Sequence, residues 1–280
     1  MRILHCSDLH FCRPLDLRAL RSKRWAGWLN WVVRRQWAHR PERWQAFLKA
    51  AFQHPPEVVA VTGDLAQLGA PAELEAASVG LHALAKSGVR VLYVPGNHDA
   101  YVNDPQAAQM VAALLKEFGG DEPIDEGGEP LAGGVRIARV GPVEFVLLLQ
   151  AKPRGWLSAN GRIKPAQWIT LHHLAARPPR GAANDEPPVR IVLGHYPVCL
   201  ADGRELPALR GLEEADRLRK LLESFRARLY LAGHVHTPYT CALATRCDLL
   251  CAGSLTAKGS YYEITVGAGE VYWEEKFVRP

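Results

Sequence analysis

The chain has 280 residues, 48% of them hydrophobic and 22% charged, with a net charge of +5; this is the composition of a globular domain, and it excludes a disordered or low-complexity chain. No stretch approaches the roughly 20 apolar residues of a membrane helix, and the amino terminus runs straight into an apolar segment with no basic, apolar and small-residue leader, which points to a cytoplasmic protein. The six cysteines (Cys6, Cys12, Cys199, Cys241, Cys247 and Cys251) contain no CxxC pair, and so long a chain folds without cross-links, so reduced thiols are expected.

The first apolar run, Ile3-Leu4, leads to Asp8-Leu9-His10. A basic, tryptophan-rich insert over about 13–40 follows. Between Arg13 and Trp44 nine basic residues face two acidic ones, a local charge of +7 that leaves −2 for the rest, and the same window holds five of the eight tryptophans. Pro41 opens a helix through Gln53 with Trp44, Phe47, Leu48 and Ala51 as its core stripe. The run Val58–Val61 ends at Gly63-Asp64, a helix spans Pro71 to Lys86, and the run Val89–Val94 ends at Gly96-Asn97-His98-Asp99. Asp104 caps a third helix from Pro105 to Phe118.

Gly119 to Gly134 reads as an acidic, Gly-rich loop, after which Val135–Val140 and Val143–Leu149 form a hairpin around Gly141-Pro142. A helix is expected over Pro165 to Ala176, and an irregular stretch over Pro178 to Pro188. The run Ile191–Leu193 ends at Gly194-His195. A helix from roughly Leu212 to Phe225 leads to Leu229–Leu231, which ends at Gly233-His234-Val235-His236. Strands at Leu249–Ala252, Tyr261–Val266 and Val271–Phe277 suit a second mixed sheet. With no repeat and no linker, residues 1–280 are expected to form a single domain, two sheets flanked by helices.

Five polar tips on five buried strands can converge on one spot, because ligands collect at the carboxyl ends of strands in α/β sheets. Together they offer Asp8, His10, Asp64, Asn97, His98, Asp99, His195, His234 and His236, the donor set of two neighbouring divalent cations. Such a pair generates hydroxide near neutral pH and neutralises phosphate oxygens, while a histidine protonates the leaving oxygen. Alternation along an extended segment places His234 and His236 on one face. His5, His39, His54, His82, His172 and His173 lie outside the pattern and are read as surface or core residues.

In order and spacing these blocks resemble the calcineurin-like metallophosphoesterases, whose pattern is D-x-H, G-D, G-N-H-[DE], [G]-H and G-H-x-H. The resemblance implies a four-layer α/β/β/α sandwich and two divalent metal ions, with Mn, Fe, Zn or Ni all suited to the donors. It implies that Asp8, His10 and His236 hold one metal, that Asn97, His195 and His234 hold the other, and that Asp64 bridges them. His98 would act at the leaving group, oriented by Asp99. Within the superfamily the chain is most similar to the small bacterial cyclic-nucleotide phosphodiesterases, sharing an intact G-N-H-D and the His195-Tyr196-Pro197 sequence. The implied substrate is a small, nucleotide-like phosphoester.

Three other readings stand beside it. UDP-diacylglucosamine pyrophosphatases of lipid A synthesis usually carry Arg in place of His98, and a second group follows the last block with Gly-Gly where this chain has Thr237-Pro238. The segment 18–35, with Trp25, Trp28, Leu29 and Val32 at helical spacing among arginines, nonetheless has the composition of an interfacial helix on an anionic membrane. The alternative is that it packs on the body or caps the site. A nuclease is disfavoured, because a lone arginine cluster says little about nucleic acid. A non-catalytic binding protein of this fold would be expected to lack ligands or His98, and none is missing. The oligomeric state is left open.

Overall fold

In the computed structural model, residues 1–13, 24, 38–121, 134–153, 158–180 and 188–279 are described, and they build two mixed β-sheets. In the first, β1 (Arg2–Cys6), β2 (Val58–Val61) and β3 (Arg90–Tyr93) run parallel, with Ile3 opposite Val58 and Val58 opposite Arg90. Two antiparallel strands, β10 (Ser260–Gly267) and β11 (Glu270–Phe277), extend it to the order β11-β10-β1-β2-β3. The second sheet has the order β4-β5-β6-β7-β9-β8. Here β4 (Val135–Val140) and β5 (Val143–Leu148) are the expected hairpin, and β5, β6 (Val189–Leu193), β7 (Ala227–Ala232) and β9 (Cys247–Cys251) are parallel. The outer strand β8 (Tyr239–Ala244) pairs antiparallel with β9.

Strand alternation explains the layers. Ile3, Val58, Ala60 and Leu92 point inward from the first sheet and meet Phe145, Leu147, Ile191 and Leu229 of the second in an apolar cluster between the sheets. Their neighbours Leu4, Val59, Val61 and Val91 point outward, under α1 (Pro41–Gln53), α2 (Pro71–Lys86) and α3 (Pro105–Phe118). On the far side Val146, Leu148 and Val192 are covered by α4 (Pro165–Ala175) and α5 (Ala215–Ser224). Sheets covered on both faces need strands apolar on both sides, which is why the runs in the sequence are continuous instead of alternating. The architecture is therefore helices, sheet, sheet, helices, as expected.

Helix starts follow the sequence closely. Proline occupies the first turn of α1 to α4, and Asp104 caps α3 by accepting hydrogen bonds from the Gln106 and Ala107 amides. Along α1, Trp44, Phe47 and Ala51 are buried while Leu48 is half-buried at the cluster's edge. Several features differ from expectation. Of the tail strands expected to form a second sheet, β10 and β11 instead extend the first and only β9 lies in the second. Leu212 bridges to Gly161 and residues 213–214 turn before α5, β9 starts at Cys247, and β8 and a four-residue helix α6 (Leu255–Lys258) have no counterpart among the expected elements. Among the described residues no helix is long and apolar enough to cross a membrane. Of the insert, the described residues are Arg13, Arg24 and 38–40, so an interfacial helix over 18–35 lies outside them.

Candidate metal centre

The signatures are stitched together by their backbones before any side chain is considered. Past the ends of β1 and β2 the parallel ladder continues, the Asp8 amide donating to Gly63 O and the His10 amide to Asp64 O, at 3.0 and 2.9 Å. Past β6 and β7 the Gly233 amide donates to His195 O at 3.0 Å. The His234 amide then donates across to Asp8 Oδ2 at 2.9 Å, locking the tip of the second sheet to that of the first. Gly63 and Gly96 let this happen. A Cβ on Gly63 would lie 2.5 Å from the Gly96 amide nitrogen, and one on Gly96 would strike Asp64 Oδ1, which accepts the His98 amide at 2.7 Å.

Two groups of donors result. In the first, Asp8, His10, Asp64 and His236 each offer an atom within 4.8 Å of the others and could hold a cation. His236 Nε2 lies 3.2 Å and His10 Nε2 3.6 Å from Asp8 Oδ1, a buried oxygen that accepts no hydrogen bond. Burial opposes ionisation of Asp8, but the His10 and His236 nitrogens beside it outweigh that and hold its pKa well below the usual range. Burial pushes the His10 pKa well down, so its ring is neutral, as a ligand must be.

The second group is Asn97, His195 and His234, whose His195 Nε2 and His234 Nδ1 lie 3.1 and 2.9 Å from Asn97 Oδ1. Proton counting favours a cation here, with the Asn97 amide oxygen turned toward both rings. His195 Nδ1 faces Thr62 O at 2.7 Å, and His234 Nε2 faces Arg210 O at 2.6 Å. Each of those nitrogens must donate to its carbonyl. Burial lowers both ring pKa values, that of His234 to about 3, so neither ring carries a second proton. Two imidazole lone pairs and an amide oxygen therefore face one another with no hydrogen between them, an arrangement that a cation would relieve. Asp64 Oδ2 stands 3.5 Å from His195 Nε2 and 3.7 Å from His10 Nε2, between the two groups. The donors thus fit the implied metal pair.

A sequence model of the calcineurin-like phosphoesterases matches residues 1–238. The chain belongs to this family. It is a metal-dependent phosphoesterase. Among solved structures it is similar to a dimetal phosphatase from Danio rerio, at 13% identity and a TM-score of 0.59, over 99% of this chain and 96% of that one. A protein from Thermus thermophilus is similar at 15% identity and a TM-score of 0.54, over 99% of both chains. A purple acid phosphatase from yellow lupin matches at 10% identity and a TM-score of 0.57, over 99% of this chain and 51% of its own. At such identities the likeness speaks for the fold. No protein with a curated description matches the chain in sequence.

In this phosphoesterase the His98 ring meets that of His10 edge-on at 4.8 Å between centroids, its Nδ1 donating to Gln67 O and its face stacked on Tyr101 at 5.3 Å. Asp99, expected to orient His98, accepts with its two oxygens from the Ala66 and Gly96 amides and from the Tyr93 hydroxyl, closing the loop from inside. Burial raises its pKa to about 6, against those hydrogen bonds.

His39, expected to be an ordinary surface or core residue, lies with its ring 4.9 Å from that of His10 and 6.0 Å from that of His236. Thr256 fixes it, donating to Leu9 O and accepting from His39 Nδ1 at 2.8 Å. A cavity of about 160 Å³ between His39, His10, Phe11 and Pro41 opens beside the first group. No spacing rule links His39 to the five signatures; only its position at the end of the insert hints at it.

Proposed function

We propose that this phosphoesterase is a two-metal phosphodiesterase of the small bacterial cyclic-nucleotide type, acting on a small nucleotide-like ester. The observation that supports it best is the proton-free contact of His195 Nε2 and His234 Nδ1 with Asn97 Oδ1, beside a second, carboxylate-rich group that shares Asp64. In this reading Asp8, His10 and His236 would hold one cation, Asn97, His195 and His234 would hold the other, and Asp64 would serve both. When bound, such a pair supplies an activated water and neutralises phosphate oxygens.

The remaining work falls to the chain. His195 and His234 hold their ligating nitrogens in place through the Thr62 and Arg210 carbonyls. His98, with Nδ1 committed to Gln67 O, exchanges a proton with the leaving oxygen through Nε2.

The test is a substrate panel on the Mn²⁺-loaded full chain, comparing cyclic AMP, a model diester, a lipid-linked UDP sugar and single-stranded DNA. The highest kcat/KM is expected on cyclic AMP. In parallel, Asp64→Ala should lose bound metal, measured by elemental analysis, together with turnover. Preference for the lipid-linked sugar would overturn the substrate and favour a pyrophosphatase at an anionic membrane surface. Full metal content in Asp64→Ala would overturn the bridge.

A further inference from the structure

Arg24 belongs to the basic insert, yet its side chain is only 8% exposed and is fully engaged by the body of the protein. Nε donates to Leu68 O at 3.1 Å, Nη2 to Gly69 O at 2.6 Å, and Nη1 pairs with Asp104 Oδ2 at 2.8 Å. Asp104 is itself fixed, since its other oxygen caps α3. The two carbonyls that Arg24 grips follow directly on Gln67, whose carbonyl receives His98 Nδ1. The same loop lies against His98 from below: a Cβ on Gly69 would come within 2.8 Å of His98 O and 3.1 Å of Tyr101 Cβ. A continuous path of polar contacts therefore runs from the α3 cap through Arg24 and the 67–69 loop to the His98 ring.

We propose that Arg24 is a positioning residue for His98: its guanidinium fixes the Leu68 and Gly69 carbonyls, and with them the loop whose Gln67 carbonyl receives the His98 ring. The fork geometry matters, because a guanidinium spreads its donors over three nitrogens in fixed directions, whereas an ammonium gathers its three on one rotatable nitrogen. A displaced Gln67 carbonyl would leave His98 bound loosely, and misplacement of about 1 Å at a reacting group costs up to roughly a hundredfold in rate.

The proposal rests on the reading of His98 as the group acting at the leaving oxygen, and the experiment separates the two. Arg24→Ala and Arg24→Lys are made in the full chain, each with His98 intact and in a His98→Ala background, and assayed with Mn²⁺ on an unactivated diester. Arg24→Ala is expected to lower kcat about tenfold with KM changed by less than about twofold and metal content unchanged, and Arg24→Lys to lie between it and the wild type. In the His98→Ala background the loss should shrink below about twofold, since the residue through which Arg24 acts is gone.

Independently of turnover, the Nδ1–H resonance of His98 in histidine-labelled protein, assigned by its disappearance in His98→Ala, should shift or broaden in both Arg24 variants. Equal losses in the two backgrounds would overturn the proposal, as would an unmoved resonance. Should Arg24→Ala fail to fold, Arg24→Lys carries the same comparison. A wild type with no diester hydrolysis would sink the His98 reading alone, and the resonance would still decide the role of Arg24.

Discussion

Among the described residues seven that are not glycine have positive φ, and five of them are Asp8, His10, Asp64, His234 and His236. Left-handed backbone costs a non-glycine residue about 1–2 kcal/mol, so its concentration at the donors marks strain that the surrounding fold holds in place. It also explains a limit of the sequence. Strand alternation puts His234 and His236 on one face, but φ of +70° and +63° turns them apart, so that His236 joins Asp8 and His10 while His234 joins Asn97 and His195. The identity of the donors is legible from residue type and order; the way their side chains divide follows from the family resemblance and not from spacing, because it depends on dihedral angles that spacing does not encode. His39 is illegible for a different reason, since it reaches the site from a chain-distant helix start through Thr256. For His98 the prediction is direct. His98→Ala should retain its metal and lose about 10²- to 10⁴-fold in kcat on an unactivated diester, and much less on one with a good leaving group. Steady-state kinetics on the two esters checks it, and equal losses on both would remove His98 from proton transfer.

At the level of elements, the parallel strands β1–β3 and β5–β7 are readable because burial on both faces demands continuous apolar runs. The outer strand β8 is not, because its residues are half exposed and follow no clear alternation. What holds the helices of the second sheet is also invisible in the periodicity. Arg190 on β6 and Glu144 on β5 are both fully buried and paired at 2.8 Å. The same guanidinium donates to Leu174 O at the end of α4 and Phe225 O at the end of α5, and stacks 4.5 Å over the Phe225 ring. One side chain thus ties two helix ends to the sheet. Removing its carboxylate would leave a buried charge uncompensated, which typically costs about 3–5 kcal/mol. Glu144→Ala is therefore expected to lower the thermal midpoint by roughly 6–20 °C, at about 2–4 °C per kcal/mol for a chain of this size, while metal content at low temperature stays intact. A melting curve within a degree or so of the wild type would show that the pair does not hold the helices.

The whole molecule encloses several imidazoles that must stay neutral, and this makes its stability depend on pH. Burial pushes the His5 and His234 pKa values down to about 3 and also lowers those of His10 and His195. A histidine in the unfolded chain takes up a proton near pH 6.5, so below that value the unfolded state binds more protons than the folded one. The stability these rings contribute is complete above about pH 6.5 and is lost as pH falls toward their folded values. Asp99 opposes the trend: its pKa is raised to about 6, so its contribution is present below about pH 3.9 and lost as pH rises through 6. One carboxyl against four rings leaves a net loss on acidification, at most roughly 4 kcal/mol per pH unit between about pH 6 and 4. Asp8, held well below the usual carboxylate range, adds to that loss below about pH 4. In the metal-free protein, urea midpoints measured across this range should fall steadily with acid. Metal loading should make the fall steeper, because cations bind only the deprotonated rings and carboxylates. Midpoints that stay level from about pH 7 to 5 in chelator would mean that these rings gain protons without leaving the fold, and that the site is more open to water than its burial indicates.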